Sequence, residues 1–356
     1  MSERCRHFGI CGGCTLQDLP DGEYRARKRD EVVRALAKHG VEAEVGEIIE
    51  VPPKSRRRAV LNVARRAGQV GVGFHPLRSH AIVDMHECLV LTPALFALTA
   101  ALREAMPALL VDGQDLEARA TEAANGLDIA FRAQPKLTPE RIATLARLAP
   151  QLKAIRITWN AALAFERAAP VVRLGKADVK LPPDTFLQPS RAGEAALQAR
   201  VLEAVAGAKT VADLFSGCGT FALPLAERAR VHAVEKEQAM LDALAAAARA
   251  TPGLKPVTTA RRDLFKIPLG PAELAPFDAV VLDPPRAGAE AQARQLAAAA
   301  VPRLAYVSCD AQSFARDAAI LVAGGYRLEA VTPVDQFLWS SHIELVAAFA
   351  RVRAKR

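Results

Sequence analysis

The chain has few aromatic residues and no long apolar run. Only three of its 356 residues are tyrosine and two are tryptophan, which argues against an extended aromatic platform for stacking single-stranded nucleic acid. The best candidate for a membrane span, residues 89–102, is too short and includes Thr92, Pro93 and Thr99. The N-terminus opens on charged residues and cysteines instead of an apolar signal core. The sequence therefore predicts a cytoplasmic protein with no membrane segment.

Cysteine is also scarce, with six residues in the whole chain. In a cytoplasmic protein of this length, so few cysteines predict thiols, metal ligands or nucleophiles and exclude a disulfide framework. The apolar fraction of 51% excludes a disordered chain. Lys and Arg number 47 and Asp and Glu number 39, and this surplus of positive charge favours a polyanionic partner.

The apolar pattern divides the chain into two parts, which we place at residues 1–185 and 186–356. In the first part, a helix is predicted at residues 23–39, followed by a strand-rich stretch over residues 45–90. From residue 210 onward, short apolar runs alternate with alanine-rich helical stretches. That alternation predicts an α/β fold with a mostly parallel sheet covered on both faces, which binds ligands at the C-terminal ends of its strands.

A Gly-x-Gly turn, Gly217 and Gly219, follows the first of these strands. The third glycine of the dinucleotide fingerprint is replaced by Ala222. S-adenosyl-L-methionine carries an ammonium and a sulfonium but no phosphate, so its loop is expected to offer carboxylates. Any single acid at a strand end could be a helix N-cap, but four fall in sheet order: Asp213, Glu235, Asp263 and Asp283. We expect Glu235 to hold ribose hydroxyls and Asp263 to accept a hydrogen bond from the adenine amine.

One thiol and one carboxylate predict a mechanism. Cys309 ends the fifth apolar run and precedes a predicted helix, where the pKa of a thiol is expected to be lowered. Glu344 lies at the start of the last strand and reaches the same rim, together with His342. A thiolate that adds to C6 of uracil activates C5 toward a methyl donor, and a carboxylate then removes the C5 proton. The Asp283-Pro-Pro motif is also compatible with an amino-directed base methyltransferase.

Four cysteines predict a metal centre. Cys5, Cys11 and Cys14 lie within ten residues, and Cys88 is the fourth candidate ligand. With only one Cys-x2-Cys pair, the spacing favours a four-iron cluster over zinc, which stays open as the alternative.

Basic residues are concentrated in three segments and are expected to contact phosphates, although such runs are often only solvated faces. They are Arg25, Arg27, Lys28 and Arg29, then Lys54, Arg56, Arg57, Arg58, Arg65 and Arg66, and finally Arg351, Arg353, Lys355 and Arg356.

Together these motifs resemble the RNA uracil-C5 methyltransferases, and most closely the iron–sulfur branch that acts on 23S ribosomal RNA. Residues 5–14 resemble the cluster segment of that branch, and Cys88 corresponds to its fourth ligand. Residues 307–309 resemble its nucleophile strand and residues 342–344 its base segment. The resemblance implies cofactor contacts at six positions: Gln188, Phe215, Thr220, Glu235, Asp263 and Asp283.

The resemblance also implies a fold and a set of partners. We expect a seven-stranded Rossmann-like catalytic domain, on which the first helix packs, and a β-rich domain that carries a [4Fe-4S] cluster. We expect no N-terminal RNA-binding barrel and no obligate protein partner. Ser190 and Thr220 stand where the family usually has asparagine. The competing hypotheses are the same chemistry on transfer RNA and a non-catalytic, metal-stabilised RNA-binding protein.

Overall fold

The computed structural model describes residues 4–79 and 81–352. The basic residues Arg353, Lys355 and Arg356 lie outside this part of the chain. The helices are α1 (Asp21–Lys38), α2 (Pro93–Ala105), α3 (Pro139–Leu148), α4 (Arg191–Ala204), α5 (Ala222–Ala226), α6 (Gln238–Ala250), α7 (Pro271–Leu274), α8 (Glu290–Ala298) and α9 (Ala311–Ala323), with a 3-10 turn at Met106–Ala108.

The strands fall into two large sheets and one hairpin. The first sheet contains β2 (Arg58–Arg66), β3 (Gln69–Phe74), β4 (Val83–Asp84), β5 (Asp115–Ala123), β6 (Gly126–Ala133), β7 (Ala154–Trp159) and β8 (Ala162–Glu166); the hairpin is β9 (Val171–Leu174) and β10 (Ala177–Lys180). The second sheet contains β1 (Ile49–Glu50), β11 (Thr210–Leu214), β12 (Arg230–Glu235), β13 (Val257–Arg261), β14 (Ala279–Leu282), β15 (Arg303–Ser308), β16 (Tyr326–Asp335) and β17 (Glu344–Arg351).

The first sheet has the order β4-β3-β2-β5-β6-β7-β8 and is antiparallel except between β6 and β7. Along its strands, buried and exposed side chains alternate, as expected for a sheet with only one face covered. Leu61 and Val63 are buried, whereas Val60 is 42% exposed. Helix α2 packs against β2, β3 and β5. It starts where the Thr92 hydroxyl accepts a hydrogen bond from the Leu95 amide.

The second sheet has the order β1-β16-β17-β15-β14-β11-β12-β13. Strands β11 to β15 are parallel to one another, and β17 runs antiparallel between β15 and β16. The predicted α/β architecture with a Rossmann-like parallel sheet is confirmed. The sheet has eight strands instead of the seven predicted, because β1, contributed by the N-terminal segment, pairs in parallel with the end of β16.

Two basic residues expected to contact phosphates are instead buried. Lys28 on α1, 1% exposed, forms an ion pair with the fully buried Asp335 at the end of β16. Arg57, 3% exposed, donates to Glu194 on α4 at 2.7 Å. The phosphate role predicted for these two residues is wrong, because both cations form buried ion pairs, Lys28 with the second sheet and Arg57 with α4. Among the described residues, no helix combines the length and the apolar character needed to cross a bilayer.

Candidate active site

The acidic residues predicted from the sequence lie along one rim. Strands β14, β11, β12 and β13 are neighbours in the sheet, so their C-terminal ends form a continuous edge. Asp283 follows β14, Asp213 lies near the end of β11, Glu235 ends β12 and Asp263 follows β13. The structure therefore brings these carboxylates to the edge at which parallel sheets bind ligands.

Asp213 is fully buried, and neither carboxylate oxygen has a hydrogen-bond partner of normal geometry in the described part of the chain. Burial, the largest cause, raises its pKa to about 8. Burial likewise raises the pKa of Asp283 well above its usual range, and the charge of Glu344 adds to this. Two buried carboxyl groups without a facing cation suit a positively charged ligand.

The glycine turn provides room for that ligand. Gly217 has φ of +54° and open space where a Cβ would stand, and its amide donates to Glu235 Oε2 at 3.0 Å. Phe215 also adopts a positive φ, +63°, and its ring lies 5.4 Å from that of Phe265. Phe265 is 47% exposed and was not predicted as a site residue. In the sequence, Phe265 could have been noticed only as an apolar residue two positions after Asp263, where a polar loop is expected.

Gln188 and Ser190 reach the rim from the segment before α4. Gln188 is buried, and its amide donates to Asp283 Oδ2 at 3.4 Å. Ser190 caps α4, because its hydroxyl accepts a hydrogen bond from the Gly193 amide at 2.9 Å. An asparagine would cap a helix equally well, so this departure from the family pattern leaves the local fold intact. Thr220 is held in place through its carbonyl, which accepts from Gln198 Nε2 at 2.9 Å.

Cys309 follows the last residue of β15, and Glu344 is the first residue of β17. The two strands are antiparallel, and their last pair at this end is Ser308 with Leu345. Cys309 and Glu344 are close enough for the charge of Glu344 to raise the pKa of the thiol. Glu344 is 4% exposed, and burial raises its pKa to about 7. Gln336 donates to Glu344 Oε2 at 2.8 Å and lowers this pKa, as does the charge of Arg286.

The pKa of the Cys309 thiol differs from the sequence prediction. Burial, together with the charges of Glu344 and Asp283, raises it to about 11. The predicted lowering by the N-terminus of α9 is wrong, because desolvation and two nearby carboxyl groups outweigh the helix dipole and the opposing charge of Arg286. In the ligand-free site the thiol is therefore protonated at neutral pH.

His342 lies at the outer edge of this site. It is exposed, and Arg286 Nη2 approaches both of its ring nitrogens at 3.5 Å. Burial of part of the ring, followed by the charge of Arg286, lowers its pKa.

The four candidate metal ligands share one cavity, which we call the cysteine cavity. Cys5, Cys11, Cys14 and Cys88 all line it, in a volume of about 370 Å³. Burial raises the pKa of Cys14 to about 12 and also raises that of Cys88. Within residues 4–79 and 81–352, no three His, Cys, Asp or Glu side chains are grouped as ligands of a metal ion.

The cysteine cavity adjoins the catalytic rim. Its wall includes Arg56 and the loop between β16 and β17, represented by Phe337 and His342. The Arg56 guanidinium lies 5.4 Å from the centre of the Phe337 ring. Arg56, another residue of the predicted phosphate-binding run, therefore contributes to this wall.

Comparisons with known proteins agree with this geometry. The family model described as tRNA (Uracil-5-)-methyltransferase matches residues 172–351, about half of the chain. An RNA methyltransferase of Brucella suis biovar 1 is 45% identical over 98% of this chain and 84% of its own length. The 23S rRNA (uracil(1939)-C(5))-methyltransferase RlmD of Halomonas elongata is 36% identical over 96% of this chain and 74% of its own.

A solved structure shares the fold. The Pyrococcus abyssi tRNA (uracil-54, C5)-methyltransferase, solved with S-adenosyl-L-homocysteine, superposes with a TM-score of 0.73 at 24% identity, covering 98% of this chain and 87% of that one. The sequence matches extend over both sheets and the whole catalytic rim. The chain belongs to the S-adenosyl-L-methionine-dependent RNA uracil-C5 methyltransferase family.

Proposed function

We propose that this enzyme methylates C5 of one uridine in 23S ribosomal RNA, with Cys309 as the nucleophile and Glu344 as the base. The observation that carries the mechanism is the pairing of β15 with β17, which brings the thiol that follows β15 within electrostatic reach of the buried carboxyl group that begins β17. Asp283 adjoins them through the chain of amides formed by Gln188 and Gln336.

The chemistry assigns a separate task to each side chain. The Cys309 thiol first gives its proton to solvent, its sulfur adds to C6 of uracil as the thiolate, and the electron pair of the C5–C6 double bond moves toward C5. When bound, S-adenosyl-L-methionine supplies the electrophilic methyl group that C5 accepts. Glu344 then takes the proton from C5, the double bond re-forms, and the sulfur leaves C6. In structured RNA, the uracil must leave its stack to reach both groups.

The cofactor would be held by residues on the rim. Gln188, Phe215, Thr220, Glu235, Asp263 and Asp283 are the proposed contacts. Asp213, the fourth acid expected from the sequence, is a further proposed contact, because its buried carboxyl group has no hydrogen-bond partner of normal geometry among the described residues and fits a cationic ligand.

The cysteine cavity fits a four-iron, four-sulfur cluster bound by Cys5, Cys11, Cys14 and Cys88. All four cysteines line this one cavity. With only one Cys-x2-Cys pair among them, the spacing favours a cluster over zinc. Four protein ligands leave no open iron, so its role would be structural.

Metal analysis tests the cluster. We expect brown protein with iron and sulfide in near-equal amounts, and we expect Cys14→Ser to lose most of both because one thiolate is missing. Cys218→Ser is the matched control, since Cys218 is buried in the glycine turn outside the cysteine cavity, and it should retain its iron. Stoichiometric zinc without sulfide in the wild-type protein would refute the cluster.

The choice of 23S ribosomal RNA is supported by the named relative from Halomonas elongata and by the cysteine set. Purified enzyme and labelled cofactor should modify 23S RNA from cells that lack this protein, and Cys309→Ala should leave it unlabelled. Transfer RNA from the same cells is the comparison substrate. Label confined to transfer RNA would overturn the target while leaving the chemistry intact. RNA binding without any methyl transfer would overturn both.

A further inference from the structure

We infer that Gln336 is the positioning residue of the base: its side-chain amide orients Glu344 and connects it to Asp283. This inference rests on the proposed roles of Glu344 and Cys309. Gln336 is 2% exposed and follows Asp335, the last residue of β16. Neither composition nor motif spacing marks it as functional.

The amide of Gln336 bridges two acceptors. Its Nε2 donates to Glu344 Oε2 at 2.8 Å and to Gln188 Oε1 at 2.7 Å. Gln188 Nε2 in turn lies 3.4 Å from Asp283 Oδ2. Both hydrogens of the Gln336 amide are therefore used, and the hydrogen bonds run outward from Gln336 to both carboxyl groups, directly to Glu344 and through Gln188 to Asp283.

The orientation of this amide is determined by its surroundings. Exchanging its oxygen and nitrogen would set Oε1 against two other oxygens, which is repulsive. In the observed orientation Oε1 is buried without a hydrogen-bond partner and lies against α4, where a Cβ on Gly193 would stand only 2.5 Å away. The carbonyl oxygen of Gln336 is thus an unsatisfied acceptor, which is uncommon in a protein interior. The same orientation directs both amide hydrogens to Glu344 and Gln188.

This contact gives Gln336 a defined chemical effect. One Glu344 oxygen is held by the amide, so the other is free to receive the C5 proton. A hydrogen bond to a carboxylate favours its ionised form, and the ionised form is the one that acts as a base. The other charged or titratable groups that interact with Glu344 are Asp283 and Arg286 after β14 and Cys309 after β15. Helix α4, which packs against β17, carries Glu194, whose charge is paired with Arg57.

The variant Gln336→Met tests the inference, because methionine fills a similar volume without a donor. Without the donor the pKa of Glu344 rises, so less base is ionised at neutral pH. Turnover at pH 7 should fall about tenfold, since a hydrogen bond to a charged group is worth on the order of one pKa unit or more. The ratio of variant to wild-type turnover should return toward one by about pH 9.

A second measurement separates positioning from structure. Slower proton removal should make the methylated Cys309–RNA adduct accumulate, seen as labelled RNA that stays attached to denatured protein. The matched control is Gln292→Met, since Gln292 is also fully buried and exchanges two hydrogen bonds with the Leu269 backbone. It should lower thermal stability without changing the pH profile or the amount of adduct.

The outcomes are distinguishable. If wild-type enzyme forms no adduct with RNA that carries 5-fluorouracil, the proposed function fails. If wild type forms that adduct but Gln336→Met shows the pH profile and adduct level of Gln292→Met, only the role of Gln336 is overturned.

Discussion

Replacing Cys309 with alanine is expected to reduce methyl transfer by on the order of a thousandfold or more, since removal of a nucleophile leaves no covalent route. The uracil C5 atom is too weakly nucleophilic to react without the sulfur at C6. The thiol is partly buried just after β15, so alanine fits without disturbing the sheet. Labelled-methyl incorporation into RNA measures the loss.

The controls for Cys309→Ala examine binding and folding. Affinity for S-adenosyl-L-methionine and the thermal transition should match wild type, because the proposed cofactor contacts lie on other residues. RNA carrying 5-fluorouracil should trap wild-type enzyme as a covalent complex, because fluorine replaces the proton that Glu344 removes, and it should not trap the variant. An alanine variant that methylates at the wild-type rate would exclude covalent catalysis.

Replacing Glu344 with glutamine is expected to stop the reaction after methyl transfer. The glutamine cannot take the C5 proton, so turnover should fall by about 10²- to 10⁴-fold, the usual contribution of a general base. The methylated RNA should remain attached to Cys309 and be visible as a slowly migrating band on a denaturing gel. Rapid turnover without this band would show that another group removes the proton.

The pH dependence follows from the same residue. Glu344 must be ionised to act as a base and has a pKa of about 7, so wild-type turnover should decrease as the pH falls through that value. Glu344→Gln should lose this inflection. The pKa of Cys309 is about 11, so turnover of the wild-type enzyme should continue to rise on the alkaline side.

Much of the catalytic sheet could be predicted from the sequence, because its strands are buried on both faces and appear as uninterrupted apolar runs. The apolar runs at residues 303–307 and 343–349 predict strands, and β15 and β17 cover them except for Ile343. The acidic edge of the sheet could be predicted for the same reason, since the C-terminal ends of parallel strands lie together at one edge. Strand β5 could not, because its inward positions include Ala118 and Ala120, and alanine has a low preference for strands.

Contacts between residues that are far apart in the chain could not be predicted from the sequence. Lys28 and Arg57 have the same appearance in a sequence as surface cations, and only the fold reveals their buried carboxylate partners. The raised pKa of Cys309 likewise depends on Asp283 and Glu344, which come from other strands. The role of Gln336 is visible only when two amides and two carboxyl groups are seen together.

The pairing of β1 with β16 and of Lys28 with Asp335 has a consequence for biosynthesis. These partners are separated by almost the whole chain, and Lys28 and Asp335 lie 307 positions apart. On the ribosome, α1 leaves the exit tunnel long before the strand that neutralises its buried cation has been translated. Such late, long-range closure slows folding and leaves early segments exposed. In the nascent chain, Lys28 on α1 therefore has no Asp335 to pair with until β16 has been translated. Premature termination before β16 would release a product that cannot form this ion pair or the pairing of β1 with β16.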